Sequence, residues 1–164
     1  MVIRSSLQAI GVEPQTVLLM RTDEPDLRHT VALADDHISV QQSVSTLLAN
    51  DYKIVAAVDD GEKAVRAGLE FCPDIFILDI CMPRLSGIQA AREMRRLGLS
   101  VKLVFLTVQD DADYLEAAQA LDASYVLKPR MHTDLPRAVR EALAGRVFLS
   151  GLSGPQPFAP ASDR

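Results

Sequence analysis

Short apolar runs recur along the chain, and segments with the spacing of amphipathic helices separate them. The clearest run spans residues 75–78, four large apolar residues that stop at Asp79. An unbroken run of this kind is typical of a strand buried on both faces, as in a parallel sheet covered by helices. Pro83 then predicts a turn. Ser86 predicts the N-cap of a helix, and Gln89 three residues later completes a capping-box pattern.

The same alternation continues from Thr30 to about residue 145 as five strand–helix repeats. The predicted strands span residues 31–34, 54–58, 75–78, 101–106 and 124–127. The first helix is predicted from the apolar stripe of Val40, Val44, Leu47 and Leu48. The other four helices are predicted from apolar residues in the segments between the later strands: Ala64, Val65, Leu69 and Phe71; Ile88, Ala91 and Met94; Tyr114, Leu115 and Ala118; and Leu135, Val139, Ala142 and Leu143. Asp110 and Thr133 are expected to cap the last two of these helices.

Strands that alternate with helices predict an α/β fold, here a doubly wound, five-stranded parallel sheet between two layers of helices. Residues 30–150 form this predicted domain. Residues 1–29 do not continue the pattern, and we interpret them as an N-terminal extension with partial disorder. Residues 151–164 are rich in Gly, Pro and Ser, which is typical of a flexible tail.

Charge and composition exclude several classes of protein. The formal net charge of -5 argues against nucleic-acid binding by this chain alone. Two cysteines, Cys72 and Cys81, are too few for a disulfide framework or a cysteine-based metal site, and they fit a reducing cytoplasm. No apolar run approaches the roughly 20 residues that cross a bilayer, and the N-terminus lacks the pattern of a signal peptide. The sequence therefore predicts a cytoplasmic protein without membrane contacts.

Chemically active side chains stand at the carboxyl ends of four predicted strands: Asp35 and Asp36, then Asp79, Thr107 and Lys128. Because parallel strands end at one edge of their sheet, these residues are expected to meet in one cleft. Three close carboxylates repel each other unless a cation lies among them, and an all-oxygen ligand set favours Mg²⁺. An ammonium and a hydroxyl suit a phosphoryl group. The residues thus indicate Mg²⁺-assisted phosphoryl transfer onto an aspartate, with Asp79 as the central candidate.

Four motifs, in order, resemble those of the receiver domain of bacterial two-component response regulators. They are Ala-Asp-Asp-His at residues 34–37, Leu-Asp-Ile-Cys-Met-Pro at 78–83 with Gly87, Leu-Thr at 106–107, and Leu-Lys-Pro at 127–129. The first motif, together with residues 107–111 and 144–150, is similar in particular to the NarL/FixJ-like subfamily. Members of that subfamily usually carry a C-terminal helix-turn-helix domain, which these 164 residues do not contain. The resemblance implies a flavodoxin-like strand order of 2-1-3-4-5.

The resemblance also implies a role for each residue of the predicted cleft. Asp79 is then the phosphoacceptor and also faces the metal. Asp36 is a direct Mg²⁺ ligand, Asp35 holds the ion through water, and the backbone carbonyl of Cys81 is a further ligand. Thr107 contacts the phosphoryl group and shifts toward it in the active state.

Two more roles and two departures complete the comparison with the family. Lys128 pairs with the phosphate, and Tyr125 occupies the position of the switch aromatic that turns inward behind the threonine. Val108 is bulkier than the Ala or Gly common at its position. The segment between Tyr114 and Tyr125 is one residue short, and a Leu-Asp-Ala run at residues 121–123 replaces the usual Gly-containing turn, which puts the end of the fourth helix in doubt. His37 is interpreted as a solvated or capping residue.

The implied function is a phosphorylation-controlled switch in two-component or phosphorelay signalling, with no enzymatic role beyond slow self-catalysed phosphorylation and dephosphorylation. Its partners are a histidine kinase or histidine phosphotransfer protein, and a downstream protein target or fused output domain; a homodimer is compatible with this role.

Two alternatives remain open: a phosphate-independent adaptor with the same fold, and the receiver half of a truncated DNA-binding regulator. A haloacid-dehalogenase-type phosphatase is disfavoured, because Cys81 stands where a second acidic residue is expected. A dinucleotide-binding module is disfavoured because the first strand–helix turn has no Gly-rich fingerprint.

Overall fold

A computed structural model describes residues 26–151 of the chain. It contains a five-stranded parallel sheet in the order β2-β1-β3-β4-β5, which confirms the predicted fold class and strand order. A 3-10 turn at Lys128–Arg130 follows the last strand. The strands and helices alternate as β1 Thr30–Ala34, α1 Ile38–Leu48, β2 Lys53–Val58, α2 Gly61–Phe71, β3 Ile75–Asp79, α3 Gly87–Arg96, β4 Lys102–Thr107, α4 Ala112–Ala120, β5 Ser124–Leu127 and α5 Met131–Leu143.

The side chains of the sheet divide between two apolar clusters, one on each face. Strand β3 shows the division: Phe76 and Leu78 point into one cluster, while Ile75 and Ile77 point into the other. The first cluster is closed by α2, α3 and α4, and the second by α1 and α5. Because β3 is buried on both faces, its run of large apolar residues has no polar position, as its sequence predicted.

Helix caps agree with the sequence at some positions and differ at others. At α3 both halves of the capping box between Ser86 and Gln89 are formed, as predicted. The predicted cap of α4 at Asp110 is wrong, because Asp111 accepts the hydrogen bond from the first-turn amide. The predicted cap of α5 at Thr133 is also wrong. That helix already begins at Met131, directly after the 3-10 turn, and so Thr133 lies inside it.

Helix α2 packs differently from its predicted stripe. Leu69 and Phe71 are exposed by 50% and 45%, whereas Ala64, Ala67 and Gly68 form most of the buried face. The buried residues are small because α2 lies close to α3: a Cβ added at Gly68 would stand 3.6 Å from the side chain of Met94 in α3. Close packing of two helices therefore overrides the larger apolar residues that the sequence pattern favoured.

The end of α4, which the sequence left in doubt, is a regular helix end. The amide of Ala123 donates to the carbonyl of Ala118, and Asp122 adopts a left-handed conformation with φ of 51°. Asp is one of the few residues other than Gly that enters this region at modest cost. Asp122 thus takes the place of the usual glycine, and the shortened segment still closes.

A short segment after α5 extends the pairing of the sheet. Tyr125 of β5 accepts from and donates to the backbone of residues 148–150, and the side chains of Phe148 and Leu149 are buried. Of the predicted N-terminal extension only residues 26–29 are described, and of the predicted C-terminal tail only Gly151; the rest of both lies outside the described residues. Within residues 26–151 no helix combines the length and the apolar character needed to cross a bilayer.

Candidate functional site

The carboxyl ends of β1, β3, β4 and β5 bring the predicted residues to one edge of the sheet. Asp79 is the last residue of β3 and Thr107 the last of β4, and both are buried. Asp35 follows β1 directly and is also buried, while Lys128 follows β5 with a side chain only 11% exposed. Parallel pairing of β3 with both β1 and β4 fixes this convergence, because adjacent parallel strands end together.

Lys128 makes an ion pair with each of two carboxylates. Its Nζ lies 2.6 Å from Oδ2 of Asp35 and 3.1 Å from Oδ2 of Asp79. Burial alone lowers the pKa of an ammonium, but the two adjacent carboxylates outweigh it and raise the pKa of Lys128 above its ordinary value. The lysine therefore stays charged and holds the two acids together.

Neighbouring groups act on the pKa of Asp79 in opposite directions. Burial raises the pKa of Asp79, the negative charge of Asp35 raises it further, and Lys128 acts in the opposite direction. Its Oδ1 also accepts a hydrogen bond of 3.3 Å from the backbone amide of Cys81. The second oxygen faces the ammonium, so the carboxylate is held by contacts on both sides.

Four side chains at this edge could hold a metal ion. Ligand atoms of Asp35, Asp36, His37 and Asp79 all lie within 4.8 Å of one another. Oδ2 of Asp35 is buried and accepts no hydrogen bond of normal geometry, so its contact with Lys128 is an ion pair alone. A buried, under-satisfied carboxylate oxygen beside other carboxylates suits a hard divalent cation, and the donor set fits Mg²⁺.

Two residues that the sequence reasoning did not place at the site fix the backbone and side chain of Asp35. The side chain of Gln41, buried in α1, donates to the carbonyl of Asp35 at 2.7 Å and to that of Val58 at 3.0 Å, and so joins the ends of β1 and β2. His37 donates its amide to Asp35, and its Nδ1 lies 2.8 Å from Oδ1 of Asp36. A polar Gln on the buried face of an apolar helix was the available signal for the first role.

Thr107 and Tyr125 contact the backbone of the same residue, Gln109, at its amide and at its carbonyl. Oγ1 of Thr107 accepts from the amide of Gln109 at 3.2 Å, and the hydroxyl of Tyr125 donates to the carbonyl of Gln109 at 2.5 Å. The ring of Tyr125 is buried. The loop after β4 is thereby tied to β5 through one residue.

Other predicted features lie at the rim of this site. The thiol of Cys81 is exposed and stands two residues beyond Asp79, outside the acidic cluster. Val108 is 65% exposed at the start of the loop after β4. Their side chains therefore border the cleft without entering the cluster of carboxylates.

Comparison with known proteins points to one family over most of the described residues. The family model of the response regulator receiver domain matches residues 31–140. The transcriptional regulatory protein DegU of Brevibacillus brevis is 30% identical over 73% of this chain and 52% of its own length. The nitrate/nitrite response regulator protein NarL of Escherichia coli K12 is 30% identical over 74% of this chain and 57% of its own. This chain thus spans about half the length of these curated relatives.

A solved structure gives the same result for the fold. The isolated receiver domain of RcsB from Salmonella enterica serovar Typhimurium, determined with the phosphomimetic BeF3-, superposes with a TM-score of 0.69 at 25% identity, covering 76% of this chain and 94% of that one. The family match spans most of the chain and includes every strand that contributes to the acidic cleft. The chain belongs to the response regulator receiver domain family.

Proposed function

We propose that this chain is a Mg²⁺-dependent phosphoacceptor switch, phosphorylated on Asp79 in two-component or phosphorelay signalling. The observation that carries the proposal is the position of Asp79. Its carboxylate is buried, 3.1 Å from the ammonium of Lys128, and lies with Asp35 and Asp36 in one cluster at the strand ends. An acceptor carboxylate needs this combination of a cation binding site and a positive side chain for the incoming phosphoryl oxygens.

The acidic residues divide the work of holding the ion. We assign Asp36 as a direct Mg²⁺ ligand, Asp35 as a ligand through water, and Asp79 and the backbone carbonyl of Cys81 as the remaining protein contacts. Mg²⁺ in such a site neutralises charge on the phosphoryl oxygens. Gln41 keeps Asp35 in register by holding its carbonyl to that of Val58.

The transfer step follows from the chemistry of a carboxylate. An oxygen of Asp79 attacks the phosphorus of a phosphohistidine, the P–N bond breaks, and the imidazole nitrogen leaves with the electron pair and is protonated. The product is an acyl phosphate on Asp79. Lys128 and the hydroxyl of Thr107 pair with the phosphoryl oxygens, and these three residues form the reactive set.

The phosphoryl group then acts as a signal, because it adds negative charge at one point of the fold. Thr107 shifts toward it, and Tyr125 adjusts behind Thr107 as the switch aromatic. A histidine kinase or histidine phosphotransfer protein supplies the phosphoryl group. A downstream protein target, a fused output domain or a second copy of the chain reads the surface that changes.

We place the switch in residues 30–150 and in the cytoplasm, with no direct DNA or membrane binding by this chain and no catalysis beyond slow self-phosphorylation and dephosphorylation. The match to the response regulator receiver domain supports a signalling role.

Phosphoryl transfer can be tested directly. The purified chain is incubated with Mg²⁺ and acetyl phosphate, or with histidine kinases from its own genome, and the site of modification is found by mass spectrometry. We expect one phosphoryl group on Asp79. Asp79→Asn is the negative control, and equal labelling of that variant would refute the assignment. Absence of labelling with every donor, with the fold intact, would favour the phosphate-independent adaptor.

A further inference from the structure

An ion pair between a buried carboxylate and a half-exposed guanidinium joins two loops beside the acidic cleft. Asp60 lies between β2 and α2 with a side-chain exposure of 0%, and its Oδ2 accepts a hydrogen bond from the guanidinium of Arg84. Arg84 stands in the loop between β3 and α3, which also contains Cys81. The pair therefore connects the start of α2 with the loop that leaves the phosphoacceptor strand.

Asp60 is fixed by a second contact. Its Oδ1 accepts from the amide of Lys63 at 2.8 Å, and this makes Asp60 the N-cap of α2. The guanidinium of Arg84 thus meets a carboxylate that cannot move without uncapping the helix. A partner anchored in this way holds Arg84 more firmly than a mobile surface acid does.

The backbone at Arg84 forms a tight turn, closed by a hydrogen bond of 2.8 Å from the amide of Leu85 to the carbonyl of Pro83. Its φ is 65°, in the left-handed region that non-glycine residues seldom occupy. No glycine stands there to take up the conformation, so the surrounding contacts must hold it. The ion pair with Asp60 is the contact that the side chain of Arg84 offers.

The two loops also touch through their backbones. A Cβ added to Gly61, next to Asp60, would stand 2.0 Å from the carbonyl oxygen of Leu85, next to Arg84. A Cβ at Gly87 would stand equally close to the carbonyl oxygen of Asp79. The loop of residues 80–86 is therefore pressed against α2 at one end and against the end of β3 at the other.

From these contacts we infer that Asp60 and Arg84 are positioning residues for the metal and phosphoacceptor site. They hold residues 80–86 so that the carbonyl of Cys81 stays in place for the ion and its amide stays on Oδ1 of Asp79. Neither side chain belongs to the acidic cluster. The inference rests on the proposed function for its metal-binding half, while its loop-ordering half stands on the contacts alone.

Variants of Arg84 separate the guanidinium from the backbone. Arg84→Gln removes the charge and keeps much of the length, Arg84→Gly removes the side chain and relieves the left-handed backbone, and Arg84→Lys keeps the charge. Arg96→Gln is the matched control, because Arg96 also pairs with a carboxylate, Glu93 at 2.6 Å, but on the exposed face of α3. Gly61→Ala tests the backbone contact independently.

Two measurements decide the inference: amide hydrogen exchange of residues 81–86 without metal, and the Mg²⁺ dissociation constant by calorimetry. We expect Arg84→Gln, Arg84→Gly and Gly61→Ala to speed exchange in this loop and to weaken Mg²⁺ binding by about 10-fold, in the range seen when support of a metal ligand is removed. Arg84→Lys should change the exchange rates and the Mg²⁺ affinity less than Arg84→Gln does. Arg96→Gln should match the wild type in both measurements.

Each result is decisive. Unchanged exchange in the Arg84 variants would overturn the role of the ion pair. Faster exchange with unchanged Mg²⁺ affinity would overturn the positioning of the site. If the wild type itself binds no Mg²⁺ and accepts no phosphoryl group, the proposed function fails, whereas the exchange measurement still supports or overturns the loop ordering.

Discussion

The hydroxyl of Tyr125 donates a hydrogen bond of 2.5 Å to the backbone carbonyl of Gln109. These residues lie on different elements, Tyr125 in β5 and Gln109 in the loop after β4. The amide of the same residue, Gln109, donates to the hydroxyl of Thr107 at the acidic cleft. One hydrogen bond thus connects a buried aromatic ring to the loop that follows Thr107.

Tyr125→Phe removes this hydrogen bond and keeps the buried ring. We expect a loss of about 1 kcal/mol of stability, the usual net contribution of one hydrogen bond, measured by urea denaturation, with faster amide exchange at residues 108–111. Tyr52→Phe is the matched control, because Tyr52 is also mostly buried and its hydroxyl makes no hydrogen bond within residues 26–151. Equal destabilisation of both variants would show that the contact to Gln109 contributes nothing particular.

Mg²⁺ should stabilise the fold through the acidic cluster. A concentration 100 times the dissociation constant adds about 2.7 kcal/mol to the free energy of unfolding if the ion binds only the folded state. Asp36→Asn should remove most of this effect, because Asp36 is an exposed member of the cluster whose loss leaves the core intact. Asp59 is an exposed acid that follows β2 and pairs with Lys63, and Asp59→Asn should leave the stabilisation by Mg²⁺ unchanged. Thermal unfolding with and without Mg²⁺ measures both, and equal shifts in the two variants would contradict the site.

Asp60 should contribute to the acid sensitivity of the fold. The hydrogen bond from Arg84, together with that from the amide of Lys63, lowers the pKa of Asp60 from 3.8 to about 2. The unfolded chain therefore binds more protons than the folded one between these values, and stability due to Asp60 is complete above pH 3.8 and is lost as the pH falls through about 2. Asp60→Asn should accordingly destabilise the protein most above pH 3.8, with a difference from wild type that narrows toward pH 2. Urea denaturation at several pH values tests this, and a constant difference would contradict it.

DNA binding by this chain should be negligible at physiological salt. The net charge is -5, and phosphate contacts require clustered basic residues that reach the backbone of a duplex. Gel-shift and anisotropy titrations with genomic fragments, run at low and at physiological salt, measure the affinity. Tight, sequence-specific binding by the 164-residue chain would contradict this prediction.

The sequence of strands and helices, and the residues that line the acidic cleft, were predictable because they depend on local features of the sequence. A strand buried on both faces, such as β3, is recognised by an unbroken apolar run. The position of a residue at its end, such as Asp79, then follows from the parallel sheet. Lys128 and Thr107 follow from the same rule. Their approach to one another needs no knowledge of side-chain contacts.

Contacts between distant loops were not predictable in this way. The pairing of Asp60 with Arg84 depends on a left-handed residue in a seven-residue connection, and no glycine stands at that position to indicate it. The exposure of Phe71 depends on how closely α2 approaches α3. The position of the α4 cap was missed by one residue because two aspartates, 110 and 111, stand side by side with equal capping propensity.

The output face is expected to be the segment from Asp110 to Leu143. Thr107 Oγ1 now accepts from the amide of Gln109, so its recruitment to a phosphoryl group on Asp79 breaks that bond and frees the amide of the residue whose carbonyl Tyr125 holds. The change then reaches α4, whose cap Asp111 follows two residues later, and β5 with the start of α5. The order of α4 and of its closing turn at Asp122 shows that the shortened segment leaves this face folded.

Amide hydrogen exchange with and without beryllofluoride and Mg²⁺ tests this output face. We expect protection to change in residues 108–143 by more than in α1 and α2, because this segment contains Gln109, whose amide Thr107 releases and whose carbonyl Tyr125 holds. Thr107→Ala, which lacks the hydroxyl, should bind the mimic yet lose most of the change beyond residue 110. Tyr125→Phe should keep the change at residues 107–109 and weaken it in β5. If exchange shifts only in the first two helices while α4, β5 and α5 stay as they were, the output face lies elsewhere on the domain.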